Sequence, residues 1–152
     1  IGGGQENTFR AGTENIAYIA AMGLASEIAT RSITKNINHI IFLEKYFKKR
    51  LKNDFKNIVF NGSQSQKLPG VISISFLGFR SDILLIQLDR EEIYVSNGSA
   101  CGSGIVKPSH VLSAIGLDES TNLSTLRFSF GNNNNLDEIK TLINILKNKI
   151  LK

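Results

Sequence analysis

The chain has 152 residues, of which 41% are hydrophobic and 20% charged, and its formal net charge is +5. These values are typical of a soluble globular protein with one domain of ordinary size. The positive charge permits an acidic partner, but the chain has no Trp and only three Tyr. Its basic run, residues 45–56, is typical of the solvated face of a helix. Because aromatic residues are not interleaved with basic ones, we expect no direct sequence-specific nucleic-acid partner.

The cysteine count and the hydropathy pattern exclude further classes of protein. A single Cys makes no internal disulfide, which excludes a disulfide-stapled secreted fold. No apolar run reaches the roughly 20 residues that span a bilayer, and no charged segment precedes an apolar one as in a secretory signal. We therefore expect a cytoplasmic protein without a membrane partner. Because the chain opens at Ile1 directly into a glycine loop, we also expect a further segment upstream.

The first third of the chain predicts a glycine loop followed by a long helix. Residues 1–12 contain four glycines, which give the backbone conformational freedom. Thr13 is the predicted N-cap of a helix over residues 14–53. The β-branched and small polar residues at 30–34 predict a kink or break within it. An apolar stripe at helical spacing indicates the buried face, and it consists of Ile33, Ile37, Ile40, Phe47 and Leu51.

The remaining chain predicts strands and helices in alternation. The segment VISISF (71–76) alternates with period two and is rich in β-branched residues, which is typical of a strand. A further strand is predicted over 125–130. The other predicted elements are a helix over 81–89, a short strand over 93–96, a helix from Pro108 to Gly116 and a closing helix over 136–151. With no internal repeat, this order predicts a small α/β or α+β domain.

The only cysteine, Cys101, stands in the segment SNGSACGSG between a predicted strand and the helix that begins at Pro108. Cysteine is most often buried as a small hydrophobe, but the glycines and serines around it do not form a packed element. We expect a mobile loop that reaches solvent, where a thiol oxidises readily. From the spacing alone, a reactive thiol and an accidental one are equally good interpretations.

Arg127 stands inside the apolar strand TLRFSF. An Arg in such a strand either pairs with an acid or faces a binding site. Its planar guanidinium suits a carboxylate, which it holds through two parallel hydrogen bonds. Taken alone, a surface or salt-bridged Arg is the better interpretation.

Four segments carry a common signal: GGGQENTFRAGTENI, LPGVISISF, SNGSACGSGIVKPSHVLSAIGL and STLRFSFG. Together they resemble the C-terminal part of group I, NifS/IscS-like cysteine desulfurases, in the family's order over essentially the whole chain. The resemblance implies an α/β fold, the C-terminal small domain of the aspartate-aminotransferase (fold type I) architecture after a long linking helix. It further implies that residues 1–30 belong to a large cofactor-binding domain. Residues 31–152 would then form the small domain, with the cysteine loop at 96–107.

The same resemblance implies an enzyme that uses pyridoxal 5′-phosphate (PLP) to convert L-cysteine to L-alanine. By motif match, Cys101 is the nucleophilic thiol that keeps the sulfur as a persulfide. Arg127 then binds the substrate carboxylate, and Thr13 contacts the PLP phosphate of the neighbouring subunit in a homodimer; without the resemblance, helix capping is the better role for Thr13. A loop rich in Gly and Ser lets the sulfur reach an acceptor protein. The expected acceptors are an iron–sulfur scaffold protein or components of tRNA thiolation.

Several family residues have no counterpart in this sequence. The family's PLP-binding lysine, and the His and Asp that contact the cofactor ring, lie in the large domain; none of Lys35, Lys67 and Lys107 stands in a matching context. His39 and His110 are expected to be structural or exposed, and their spacing predicts no metal site. The segment FGNNNN also departs from the family pattern. We therefore expect the chain alone to bind no PLP covalently and to be inactive in isolation.

Other functions stay open at this point. The chain can be a sulfur-carrier or interaction module that receives a persulfide without making it, or one half of a split desulfurase. Retention of Arg127 favours the enzyme, because a carrier needs no carboxylate clamp. The missing lysine favours the carrier only if these 152 residues are the whole gene product. A PLP lyase acting on selenocysteine or cysteine sulfinate is disfavoured by the long Ser/Gly segment around Cys101. The apolar segment IAYIAAMGLA is expected to pack against a large domain or a dimer mate, and to be exposed without one.

Overall fold

The computed structural model describes residues 2–98 and 107–151. The chain divides into two compact units, Ile1–Asn36 and Ile37–Lys152. In the described residues, no helix is both long and apolar enough to cross a membrane. The helices are α1 (Ile16–Asp54), α2 (Ser81–Asp89), α3 (His110–Ala114), α4 (Glu119–Leu123) and α5 (Leu136–Ile150), and the strands are β1 (Ile58–Phe60), β2 (Val71–Phe76), β3 (Ser96–Asn97) and β4 (Thr125–Ser129).

In the first unit, α1 begins two residues later than the sequence predicts, at Ile16. Its N-terminus is capped by Asn15, whose side-chain oxygen accepts a hydrogen bond from the Tyr18 N–H at 3.2 Å. The prediction that Thr13 is the cap is therefore wrong. Thr13 lies too early in the chain, and Asn is itself a preferred capping residue.

The break expected at residues 30–34 is absent, because these residues lie inside α1. The Thr30 hydroxyl donates to the Ser26 carbonyl at 2.8 Å, and Ser32 donates to the Ile28 carbonyl at 2.8 Å. Such bonds to the preceding turn satisfy hydroxyl groups within a helix and make a break unnecessary.

Apolar side chains of α1 are exposed within the first unit, as expected for the segment IAYIAAMGLA. Ile16, Tyr18 and Met22 are all at least two-thirds exposed. The predicted stripe is buried only towards its C-terminal end, where Phe47 and Leu51 are inaccessible to solvent. What packs on the exposed part stays a prediction.

The second unit contains a four-stranded antiparallel sheet in the order β1-β2-β4-β3. The predicted bounds of β2 and α2 are confirmed, while the strand predicted at 93–96 is observed later, at Ser96–Asn97. The helix predicted from Pro108 is shorter, at His110–Ala114. The sequence missed β1 and α4, because three and five residues are too few to show a periodic pattern.

One face of the sheet carries the hydrophobic core. Ile72 pairs with Phe128, and Ile74 pairs with Leu126, so these four side chains share a face. They pack against buried residues of α1, α2 and α5. The ring centroids of Phe47 and Phe128 are 5.2 Å apart.

A buried carboxylate joins α1 to the loop before β2. Glu44 is 8% exposed and accepts hydrogen bonds from Lys67 Nζ and from the Gly70 N–H, both at 2.8 Å. Burial raises the pKa of Glu44, but the hydrogen bonds from Lys67 and Gly70 and the charges of Lys67 and Lys48 outweigh it and hold this pKa below its ordinary value. Gly70 has a φ of +83°, and a Cβ there would meet Ile40 Cγ2 at 2.5 Å. Glycine is therefore required where this loop touches α1.

Candidate active site

Arg127 lies at the middle of β4, on the sheet face opposite the hydrophobic core. Leu126 and Phe128, its neighbours in the strand, are buried in that core, and side chains alternate between faces. Arg127 is half-buried. Among the described residues no carboxylate lies within ion-pair distance of it. The alternative interpretation of Arg127 as a salt-bridged residue therefore gains no support.

Serine residues stand opposite Arg127 on both neighbouring strands. Ser73 of β2 and Ser96 of β3 are its register partners. The Ser73 carbonyl accepts a hydrogen bond from the Asn61 N–H at 2.9 Å, so the backbone groups of Ser73 face β1. Ser73 and Arg127 consequently form a non-hydrogen-bonded pair, the arrangement in which cross-strand side chains approach most closely.

A chain of polar side chains continues across this face. Asn61 Nδ2 donates to Ser73 Oγ at 3.3 Å and to Ser75 Oγ at 2.9 Å. Ser75 Oγ lies 2.7 Å from Thr125 Oγ1, which donates to the Thr121 carbonyl at 2.8 Å. Ser75 and Thr125 are buried. This face is therefore polar at positions where the opposite face is apolar.

Cys101 lies outside the described residues, which stop at Gly98 and resume at Lys107. On the N-terminal side, Ser96 is paired with Arg127. Ser96 precedes Cys101 by five positions. The described chain before the cysteine therefore ends beside Arg127.

The described residues that follow Cys101 are held in place by two hydrogen bonds. The Ser109 N–H donates to Asn122 Oδ1 at 2.8 Å, and Asn122 Nδ2 donates back to the Ser109 carbonyl at 2.9 Å. Both residues are buried. Asn122 lies shortly before β4. Ser96 and Ser109, which flank Cys101 in the sequence, are therefore both attached near the strand that carries Arg127.

Thr13 belongs to the first unit, where it is exposed. Its carbonyl accepts a hydrogen bond from Arg10 Nη1 at 3.3 Å, while its hydroxyl makes no hydrogen bond within residues 2–98 and 107–151. Gly12 has a φ of +103° and donates its N–H to Gln5 Oε1 at 3.2 Å. A hydroxyl on a glycine loop has the donor chemistry that suits a phosphate oxygen.

The two histidines lie in structural or exposed positions, as the sequence predicts, and Lys67 has partners within the fold. Lys67 Nζ donates to Glu44 Oε2 at 2.8 Å and to the Val71 carbonyl at 2.9 Å. His39 Nε2 lies 2.8 Å from the Asn134 carbonyl, which makes it structural, and His110 is exposed.

Three residues of this region were missed by sequence reasoning: Ser73, Asn61 and Asn122. The alternation in VISISF does signal that Ser73 and Ser75 share a face. Asn61 and Asn122 lie in a loop and a short helix, and their sequence surroundings carry no periodic signal.

Three comparisons place the chain among known proteins. Residues 3–142 match the family model described as aminotransferase class-V. The chain is 37% identical over 151 residues to the cysteine desulfurase IscS of Dictyoglomus turgidum, covering 99% of this chain and 38% of that protein. It is 36% identical over 149 residues to IscS of Pseudoalteromonas translucida, covering 98% and 36%. The chain therefore spans well under half the length of these relatives.

Solved structures show the same partial correspondence. A NifS-like protein from Rickettsia africae aligns with a TM-score of 0.81 and 32% identity, covering 97% of this chain and 38% of that one. The expected fold, part of the NifS-like PLP-dependent aminotransferase architecture, is confirmed. From this match and the family model, the chain belongs to the aminotransferase class-V family.

Proposed function

We propose that this chain is the C-terminal part of a cytoplasmic, PLP-dependent cysteine desulfurase that converts L-cysteine to L-alanine and keeps the sulfur on Cys101. The observation that carries the proposal is the pairing of Ser96 with Arg127. It attaches the cysteine segment beside an arginine that has no acidic partner among the described residues. A nucleophile and a carboxylate-binding group are the two functions that this substrate requires close together.

Arg127 would hold the substrate α-carboxylate. Its half-buried position strengthens a charge-assisted hydrogen bond relative to one in open water. The serines opposite it leave room for a ligand, because a hydroxymethyl side chain is short. Such a clamp fixes the orientation of the substrate and so the position of its thiol.

Cys101 would act as the nucleophile. Its thiolate attacks the substrate sulfur, an S–S bond forms as the Cβ–S bond breaks, and Cβ takes up a proton to give L-alanine. The products are L-alanine and a Cys101 persulfide, so the atoms of L-cysteine and the thiol are all retained. Bound PLP supplies an electron sink for the pair that remains on carbon.

Thr13 would contribute a hydroxyl to the PLP phosphate of the neighbouring subunit in a homodimer. Its exposed position and its unused hydroxyl support this role. The lysine that binds PLP would come from the part of the relatives that this chain does not span, so we propose that residues 1–152 alone are inactive.

The proposal includes the protein that accepts the sulfur. An iron–sulfur scaffold protein or a component of tRNA thiolation would receive the persulfide sulfur, as the family resemblance implies.

Mass spectrometry of the intact gene product, loaded with PLP and given L-cysteine, tests the proposal. We expect the peptide that contains Cys101 to gain one sulfur atom while L-alanine appears in equal amount. Cys101→Ser should abolish both products. Arg127→Ala should raise the KM for L-cysteine by at least about tenfold, and Arg127→Lys should restore it only in part because the bidentate geometry is lost.

A carrier gives a different result. If L-alanine never forms and Cys101 gains sulfur only from an added persulfide donor, the chain carries sulfur but does not release it from L-cysteine. That outcome would contradict the desulfurase proposal.

A further inference from the structure

Ser73 carries a hydroxyl proton that has no acceptor among the described residues. We propose that Ser73 is a second substrate-binding residue, donating this proton to the carboxylate that Arg127 holds. The inference rests on the proposed function for the identity of the ligand. Its geometric basis is the direction of the hydrogen bonds on the polar face of the sheet.

That direction is set at one end by the Thr121 carbonyl, which only accepts. Thr125 Oγ1 donates to it at 2.8 Å, so the Thr125 hydroxyl proton is used. Ser75, which lies 2.7 Å from Thr125 Oγ1, must then donate to Thr125. The Ser75 proton is also used, and its oxygen remains as an acceptor.

The orientation of the Asn61 side-chain amide follows, because Ser75 Oγ can only accept a hydrogen bond from it. Its Nδ2 group donates to Ser75 Oγ at 2.9 Å and to Ser73 Oγ at 3.3 Å, so both amide protons have acceptors. The Asn61 Oδ1 atom is buried and has no partner among the residues that the structure describes. The reversed amide would put two unpaired N–H donors at that position, which costs more than one unpaired acceptor. Asn61 therefore presents donors to Ser73 and leaves the Ser73 proton free.

The free proton lies beside Arg127. Ser73 and Arg127 are register partners in a non-hydrogen-bonded pair, where side chains are closest. Ser73 is half-buried, and so accessible from the same side as Arg127. A carboxylate has about four lone-pair positions, and a bidentate guanidinium fills only two of them. A neighbouring hydroxyl donor fits one of the remaining two.

Calorimetry on the intact, PLP-loaded protein tests this role without turnover. The probes are L-alanine, which has the carboxylate, and L-alaninamide, which lacks it. We expect Ser73→Ala to weaken L-alanine binding about tenfold and to leave L-alaninamide binding unchanged. Ser73→Thr, which keeps the hydroxyl and suits a strand, should bind L-alanine as the wild type does. Ser129→Ala is the matched control, because Ser129 is exposed on the same strand as Arg127.

Steady-state kinetics give a second readout. Ser73→Ala should raise the KM for L-cysteine by about the same factor, with kcat changed by less than about twofold, since binding and not chemistry is affected. If Ser73→Ala weakens L-alanine and L-alaninamide equally, or neither, the inference is wrong.

Arg127→Ala separates this inference from the proposed function. If Arg127→Ala weakens L-alanine binding and Ser73→Ala does not, only the role of Ser73 fails. If both weaken L-alanine binding but no L-alanine is made from L-cysteine, the desulfurase proposal fails and the carboxylate site stands. If neither variant weakens L-alanine binding, or the wild type does not bind L-alanine, the carboxylate-binding roles of Arg127 and Ser73 both fail, and L-alanine formation from L-cysteine decides the desulfurase proposal separately.

Discussion

The two faces of the four-stranded sheet use their buried side chains differently. On one face, Ile72, Ile74, Leu126 and Phe128 are nearly inaccessible and pack against helices. On the other, Ser75 and Thr125 are just as buried but are joined by hydrogen bonds. Apolar contacts have no direction, whereas each hydrogen bond has a donor and an acceptor. The first face therefore stabilises the fold, and the second fixes where individual protons point.

The largest effect is expected from Phe128→Ala on the apolar face. Phe128 is 1% exposed and lies against Phe47 and Phe76. Removing the ring leaves a cavity and should lower the free energy of opening of this unit by about 3–5 kcal/mol. Native-state hydrogen exchange at the β4 amides of the intact chain measures this loss. Ser129→Ala, one residue away and exposed, should change it by less than about 0.5 kcal/mol, and equal losses would contradict the comparison.

A smaller loss is expected at Glu44, a buried carboxylate beside the apolar layer. Glu44→Ala removes the acceptor of the Gly70 N–H and the ion-pair partner of Lys67, which keeps only carbonyl acceptors; this should cost about 2–3 kcal/mol. Hydrogen exchange at the Gly70 amide and at the β2 amides measures this loss of stability. Glu91→Ala is the comparison, because Glu91 pairs with Lys149 at an exposed site. If both variants cost the same, burial of the Glu44 ion pair adds no stability.

The Glu44 carboxylate also makes the free energy of unfolding depend on pH. Because the pKa of Glu44 is held below its ordinary value in the folded chain, its contribution is complete above the unfolded-state pKa of about 4.3. It is lost as the pH falls through the lower folded-state pKa, since the unfolded chain then binds the proton more readily. Unfolding by urea at a series of pH values below about 5 should show this loss. Glu44→Gln should lack that component, and identical pH profiles for the two proteins would contradict the assignment.

The smallest change in stability is expected on the polar face. Ser75→Ala removes one acceptor for Asn61 and one donor to Thr125, and should cost about 1–2 kcal/mol. The double variant Ser75→Ala with Thr125→Val should cost less than the sum of the two single changes, because both partners are then apolar. Strict additivity would show that the two hydroxyls do not form one network.

The apolar face could be predicted from the sequence to a large extent. The alternation of VISISF gave the bounds of β2 and assigned Ile72 and Ile74 to one side. The predicted stripe identified Phe47 and Leu51 as core residues. Such patterns are local, so a single segment carries the whole signal.

The polar face could not be predicted in the same way. The role of Ser73 depends on its register with Arg127, and on Asn61 reaching back from the loop after β1. These contacts join segments that are distant in the chain, and register is decided by tertiary pairing. The family resemblance identified Arg127 as a candidate binding residue, but only the sheet topology brought Ser73 and Ser96 beside it.

The hydrogen-bonded chain from Asn61 to Thr121 contains only amide, hydroxyl and carbonyl groups. None of these groups gains or loses a proton between about pH 5 and about pH 9. The direction in which Ser73 donates is therefore independent of pH over this range. Under the proposed function, any change of the KM for L-cysteine with pH would then arise from groups outside this chain of hydrogen bonds.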